Sequence, residues 1–573
     1  MEKMLLKIRI LSTFFLLLFV ALAARLFYWQ AIKGSVLSED ARNQYNSSEV
    51  ISAPRGNILA SDGSFWVVRT QAWVVWVNPR LLEKSPKEVA NKLAPFFVDD
   101  PNDNQILLEE TVRLEAILNK KDVSWVGLKS KVSDDVKRNI EALKIEGLGF
   151  DAQEASYYPE ASSAAQLLGF VGKDEKGSDI GYFGIEGYYD LPLSGKPGFV
   201  GGQKDALGSP LLLGGTTEIT AIPGVDLKSN IDKRLQTIVE NVLANGIQKY
   251  GASGGSITIM DPTNGKVTAM ASLPSFDPGK YSEYGDAVFK NPVISNTFEP
   301  GSILKVVVMA AGLDAGAIRP DTPCDICSGP LKLDKYLIKT WNDEYQAGIT
   351  MTNVIVNSDN IGMSFIGQKL GADTLYDYFN KFGIGEKTGI DLQGEVAPKL
   401  REKGTWNVVD LATASFGQGV AVTGIEMIRA VAAIANGGFL ISPRVIDSIK
   451  SDGWEEKVKS DAPVRIISKK SAQEVTQMMV EAAERGEAKW TRIPGYKVAG
   501  KTGTAQIPVA GHYDPTNTIH SFIGFAPADK PKFIMLVTLT SPQASPWAAE
   551  TAAPLWYTVA KDIFPYLGIQ PSQ

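Results

Sequence analysis

The stretch Glu299-Pro300-Gly301-Ser302-Ile303-Leu304-Lys305, continued by Val306-Val307-Val308-Met309-Ala310-Ala311-Gly312-Leu313, decides how the chain is read. Pro300-Gly301 predicts a turn. The run behind it is apolar on every side, the pattern of a helix buried all round. Yet that helix opens with a hydroxyl and an amine, Ser302 and Lys305, at i and i+3 and so on one face. Burial disfavours the charged form of a lysine. A neutral amine beside a serine at a helix N-terminus is a nucleophile activated without histidine. A snorkelling lysine with a capping serine would produce the same string, so the pair alone leaves both readings open.

With 573 residues the chain has room for two or three domains and a sizeable core. Its net charge is −6, and no Lys/Arg-rich tract follows the N-terminus, which argues against a nucleic-acid partner. With only two histidines and two cysteines the chain is poor in zinc ligands, and neither metal nor cofactor is expected. His520, just before a strand, and His512, in a Gly/Pro/Asp-rich loop, both read as structural.

The N-terminus sets the compartment. Lys3, Lys7 and Arg9 precede an uncharged run over 10–24, and Tyr28 and Trp29 follow Arg25. Residues 8–29 are long enough to span a bilayer, with the positive flank inside, the aromatic pair in the interface and the remaining chain outside. Ala21-Leu22-Ala23 also fits a leader-cleavage site. Apolar character continuing past it to the aromatic belt favours a retained anchor. Cys324 and Cys327 then lie outside the cytoplasm, where a local disulfide is permitted. Pro323 and 328–330 make their surroundings a structural loop rather than a redox motif.

After the anchor, 40–52 is polar and either extended or helical, 53–63 reads as turn-strand-turn and 73–77 as a strand. Helices are predicted over 85–97, 104–119 and 134–143, and irregular structure over 181–190 and 195–198. No catalytic grouping occurs in this part, which reads as a pedestal. Character changes near 225–227. An amphipathic helix over 232–250 leads into a hairpin of 256–260 and 266–271. Thr423-Gly424-Ile425-Glu426 is a capping box opening a helix that stops at 436–438. Apolar strands at 521–525 and 533–540 precede a last helix over 548–563. Strand pairs at both ends with helices between predict an α+β domain, an antiparallel sheet with helices on both faces.

Two further strings fall in order behind Ser302. Ser358-Asp359-Asn360 sits in a loop between apolar segments, and Lys501-Thr502-Gly503-Thr504-Ala505 in a strand beginning near Tyr496. Singly, Ser358 reads as an N-cap, Asn360 as a turn residue, and Thr502 and Thr504 as ordinary strand threonines. Together S-x-x-K, S-x-N and K-T-G form the set shared by penicillin-binding proteins and class A β-lactamases. From 226 to the C-terminus the chain resembles the penicillin-binding-protein transpeptidase domain. Ser415-Phe416-Gly417-Gln418-Gly419 and Ser521-Phe522-Ile523-Gly524-Phe525 match as well. Residues 30–225 resemble the pedestal of the class B, monofunctional branch, through Arg55-Gly56-Asn57-Ile58, Tyr158-Pro159 and Gly184-Ile185-Glu186-Gly187. The chain departs from that pattern at Ala60, usually acidic, and Ser156, usually basic; the two losses are expected to compensate one another.

The resemblance implies a tail (1–7), an anchor (8–29), a dimerisation-type pedestal (30–225) and a transpeptidase domain (226–573). It implies a serine D,D-transpeptidase on peptidoglycan stem peptides, with Ser302 as nucleophile and Lys305 as base. Ser358 and Asn360 would relay and position, and Lys501 would tune. Thr502, Gly503 and Thr504 would bind substrate. β-Lactams would be trapped on Ser302. The implied partners are a SEDS-type glycan polymerase and other membrane proteins of division or elongation. The Ser358-Asp359-Asn360 and Lys501-Thr502-Gly503 spellings, with an end at Gln573, favour division. A β-lactamase, a D,D-carboxypeptidase and an inactive scaffold are the rival readings. No Glu-x-x-Leu-Asn string lies between Asn360 and Lys501 to activate a deacylating water.

Overall fold

The computed structural model describes residues 2–175, 177–203, 217–509 and 512–571. It forms two compact units, Met1–Arg55 with Ser194–Gly224, and Gly56–Leu193 with Val225–Gln573. In the first unit, Glu2–Ile32 is long and apolar enough to cross a membrane. The helix Gly34–Tyr45 gives way to the strand Asn46–Ile51, so both predicted conformations occur over 40–52. That strand joins Gly198–Gln203 and Thr217–Ile219 in a three-stranded antiparallel sheet.

In the second unit the first part is organised by one long strand, Phe65–Val77, to which Ile58–Leu59, Val126–Val132 and Leu148–Tyr157 all pair. Its helices start where side-chain acceptors satisfy their free N–H groups. Ser85 caps Pro86–Leu93, Asp103 caps Asn104–Leu118 and Ser133 caps Asp134–Glu141. Their apolar faces, among them Val89, Leu93, Leu114, Leu118 and Ile140, cover Val75 and Val77.

Residues 181–190 are more regular than predicted. The strand Asp179–Tyr182 is followed by two short helices, Gly184–Tyr188 and Asp190–Ser194. Elements of four or five residues are too short to show a period, which is why the sequence pattern missed them. Glu186 in the first of these helices is fully buried and pairs with Arg69 at 2.7 Å. Arg69 also donates to Ser156, its cross-strand neighbour. A positive charge therefore reaches this spot from Arg69, while Ala60 lies in the apolar core.

Asp226–Ser229 pairs in parallel with Ile58–Leu59 and antiparallel with Ile446–Ser451. Behind it lies the predicted antiparallel sheet, which has five strands. Its strands are β1 (Gly254–Met260), β2 (Val267–Leu273), β3 (Ala499–Val509), β4 (His512–Ala526) and β5 (Phe533–Thr540), in the order β2-β1-β5-β4-β3. His512 opens β4 in a hairpin with β3, rather than lying in a loop.

Strand alternation sends Phe522, Met535 and Val537 to one face and Ile523, Phe525 and Leu536 to the other. On the first face pack helix α1 (Lys233–Tyr250) and the C-terminal helix Ala552–Tyr566. On the second pack α2 (Lys305–Asp314), α3 (Met351–Val356), α4 (Asn360–Leu370) and α5 (Lys469–Arg485), together with the capped helix Gly424–Ala435. Every residue of α2 from Lys305 to Leu313 is buried, the reason its sequence has no polar face. Cys324 and Cys327 are disulfide-bonded.

Candidate active site

Ser302 is not yet in the α-helix. Gly301–Ile303 is a 3-10 turn, and α2 begins at Lys305. The turn is fastened from two sides. The Gly301 N–H donates to the Gly417 carbonyl at 3.0 Å, and Glu299 accepts from the Gly419 N–H at 3.0 Å. A Cβ at Gly417 would stand 2.0 Å from the Gly301 carbonyl oxygen, at a φ of +88°. On the other side the turn touches β3. A Cβ at Gly503 would lie 2.8 Å from Ile303 Cγ2 and 3.2 Å from the Ile303 nitrogen. Gly301 thus rests against the 415–419 string and Ile303 against the Lys501-Thr502-Gly503 strand, while Ser302 itself stays half-buried.

Lys305 is fully buried, and its ammonium nitrogen is the point where two motifs meet. Nζ donates to the Ser358 carbonyl at 2.7 Å, to Asn360 Oδ1 at 2.7 Å and to Ser358 Oγ at 3.3 Å. The loop is shaped for this. Ser358 has a φ of +55°, a left-handed conformation uncommon for a residue with a side chain. Such strain concentrates at functional sites. Asp359, not Ser358, is the N-cap of α4, accepting from the Ile361 and Gly362 N–H groups. Asn360 is the first residue of α4; its amide donates to the Lys339 carbonyl at 3.0 Å, so its oxygen is aimed at Lys305.

On β3, Lys501 and Thr502 are buried as well. Lys501 Nζ donates to Thr502 Oγ1 and to the Thr502 carbonyl, each at 3.2 Å. Thr504 Oγ1 accepts from the Ala548 N–H at 3.1 Å, which leaves its own proton to be given elsewhere. Burial lowers the pKa of both lysines. Lys305 is held down to about 7, through burial first and the Lys501 ammonium second, against the opposing pull of Glu487 and Asp359. For Lys501 burial lowers the pKa and Glu487 opposes it. A lysine with a pKa near neutrality is a competent proton acceptor at physiological pH.

Ser302, Lys305, Ser358, Asn360, Lys501, Thr502, Gly503 and Thr504 all come from the sequence motifs. Glu487, which accepts from Thr502 Oγ1 at 3.0 Å, does not. It follows the end of α5 in a Gly486-Glu487-Ala488 string that carries no pattern, so only the fold reveals it. Trp341 and Asn342 line a cleft of about 530 Å³ with Glu487, Trp490 and Trp547. The Trp341 and Trp547 rings meet edge-on at 5.2 Å. His520 is buried between Thr518 and Thr551, at 2.9 and 2.7 Å, and burial lowers its pKa to about 4. It is a neutral structural residue.

Comparison with known proteins agrees with this geometry. Residues 255–564 match the penicillin-binding-protein transpeptidase domain, and residues 50–229 the penicillin-binding-protein dimerisation domain. The chain is 31% identical to stage V sporulation protein D of Bacillus subtilis, over 97% of this chain and 85% of that protein. It is 28% identical to peptidoglycan D,D-transpeptidase FtsI of Escherichia coli, over 97% and 91%. Among solved structures, a peptidoglycan synthetase from Bifidobacterium adolescentis superimposes with a TM-score of 0.72 at 26% identity, covering 92% of this chain and 98% of that one. A transpeptidase-domain match over more than half its length, behind a dimerisation domain, places this chain among the class B penicillin-binding proteins.

Proposed function

We propose that the protein crosslinks peptidoglycan as a serine D,D-transpeptidase and that Ser302 carries the acyl group. The observation that supports this most directly is the convergence of Ser358 and Asn360 on the buried Lys305, one turn from Ser302. Ser302 Oγ attacks the carbonyl of the penultimate D-Ala while Lys305 takes the hydroxyl proton. Negative charge on the tetrahedral oxygen is met by the backbone N–H groups of Ser302 and Thr504, each such donor contributing about 10²–10³ in rate. Collapse breaks the peptide bond. The proton passes from Lys305 by way of Ser358 to the departing D-Ala amine. A stem-peptide amine from a second strand then attacks the ester, gives up a proton along the same route and restores Ser302. Lys501 and the Thr504 hydroxyl, arrayed with Gly503, hold the donor's terminal carboxylate, while the Thr502 hydroxyl, which accepts from Lys501 and donates to Glu487, supports Lys501 beside it; Asn360 holds Lys305 and a substrate amide. A β-lactam, whose ring carbonyl imitates the donor, leaves a lasting ester on Ser302.

The same reading takes 8–29 as an anchor with its N-terminus in the bacterial cytoplasm, 30–225 as the pedestal and 226–573 as the catalytic domain outside. A multispanning SEDS-type glycan polymerase, with division proteins more than elongation proteins, is the proposed partner of anchor and pedestal.

Labelling with a fluorescent penicillin tests the chemistry, wild type against Ser302→Ala. A covalent band that requires Ser302 and persists for many minutes is the expected result. A band that forms and soon vanishes would make the protein a hydrolase, and no band from folded protein would make it a scaffold.

A further inference from the structure

Two buried lysines stand in one site, and the order in which they hold protons decides which of them acts as base. Among the described residues Lys305 contacts no carboxylate; its three acceptors are the Ser358 carbonyl and hydroxyl and the Asn360 amide oxygen. Lys501 too touches no carboxylate directly among the described residues, but a hydroxyl links it to one. Lys501 Nζ donates to Thr502 Oγ1 at 3.2 Å, and that hydroxyl in turn donates to Glu487 Oε2 at 3.0 Å. A hydroxyl that accepts from a cation and donates to an anion is polarised in one direction by both. Buried charges persist when such a partner is supplied.

Glu487 is half-buried at the edge of the cleft. It lines the same cavity as Arg485 and Lys489, which leave its contact with Thr502 intact. Arg485 is itself paired with Glu481 and with the Asn353 side chain. Asp359, the other carboxylate bearing on Lys305, is spent on capping α4.

We propose that Glu487 is a positioning residue that, acting through the Thr502 hydroxyl, holds Lys501 as an ammonium and so leaves Lys305 as the lysine that gives up its proton. This rests on the assignment of Lys305 as the base for Ser302. Lys501 charged repels a proton on Lys305; Lys501 neutral does not. Among the influences on Lys305, that repulsion outweighs the direct attraction of Glu487. Removing the Glu487 charge therefore has two opposite consequences, depending on whether Lys501 keeps its proton. If Lys501 loses it, Lys305 becomes harder to deprotonate. If Lys501 keeps it, Lys305 becomes easier to deprotonate.

The test is the pH dependence of the second-order rate of acylation by fluorescent penicillin, in the full-length membrane protein. In the wild type the rate should climb through a pH of about 7. For Glu487→Gln, which keeps the hydrogen-bond acceptor and removes the charge, the rising limb should move to higher pH. A displacement of about one unit lowers the rate on that limb roughly tenfold. Glu487→Asp should bring the limb back toward the wild-type position. A limb that stays in place in Glu487→Gln, or moves to lower pH, overturns the proposal. The position of the limb is read only from protein that reacts, so a loss of folded fraction lowers its height without moving it. Wild-type protein that never forms a Ser302-dependent band would remove the underlying assignment instead, a separate outcome.

Discussion

At the scale of single residues, the site is built at the expense of stability. Lys305 has an ordinary pKa of 10.5 and is held at about 7 in the fold. The unfolded chain therefore binds a proton that the native protein resists. The penalty is full below a pH of about 7, diminishes as pH rises from there toward 10.5 and vanishes above it. At neutrality it is on the order of several kcal/mol, at about 1.4 kcal/mol per pKa unit. Lys305→Met keeps the length and the apolar stem. It should raise the melting temperature at neutral pH, flatten the rise of stability with pH between about 7 and 10.5, and reduce penicillin acylation by about 10²–10⁴, the usual contribution of a positioned base. Calorimetry across pH with acylation kinetics on the same protein checks all three. A variant less stable than wild type at neutral pH would mean that the hydrogen bonds to Ser358 and Asn360 outweigh the cost of burying the amine.

At the scale of elements, the nucleophile is placed by a close contact between a 3-10 turn and a strand. Gly503 allows it. A Cβ there would meet Ser521 Oγ at 2.6 Å and Ile303 Cγ2 at 2.8 Å. Gly503→Ala should push the Ser302 turn off β3 and slow acylation by about 10²-fold, since a displacement near 1 Å costs that much in an aligned site. Thermal melting should change far less. Retention of the wild-type acylation rate would show that the turn absorbs the methyl group. The motif strings make this juxtaposition legible in the sequence, because each is short, contiguous and chemically demanding. The all-apolar pattern of 306–313 announced a helix buried on every side, and Thr423 with Glu426 announced a cap; both occur. Other local features were not legible. Ser358 reads as an N-cap, but Asp359 takes that place and Ser358 goes left-handed, a choice decided by the contacts of Lys305 rather than by propensity. Glu487 gave no signal because its partner, Thr502, lies on another element and comes near only in the folded chain.

At the scale of the whole molecule, the change of character near 225 does not separate two cores. Within the second unit Asp226–Ser229 joins the strand Ile58–Leu59 to Ile446–Ser451 in one sheet. A second tie is polar and buried. Tyr189, from the pedestal portion, donates to Asp391 Oδ2 at 2.9 Å, and the same carboxylate accepts from the Val445 and Ile446 N–H groups at 2.5 and 2.8 Å. Burial raises the pKa of Asp391, and these three donors oppose that rise. The native state therefore holds this proton more tightly than the unfolded chain, so stability falls as pH rises from the unfolded value of 3.8 through the folded one. Tyr189→Phe removes one of the three donors and should raise the folded pKa further. The variant should lose about 1–3 kcal/mol at neutral pH, the cost of withdrawing a donor from a buried carboxylate. The loss should shrink at acid pH, where the carboxyl is protonated in both states. Because the hydrogen bond that Tyr189 makes with its hydroxyl is to Asp391 and not, among the described residues, to Ser302, Lys305 or β3, acylation below the melting temperature should match the wild type. A stability loss that is the same at acid and neutral pH would assign the contribution of Tyr189 to packing of its ring rather than to the charge on Asp391.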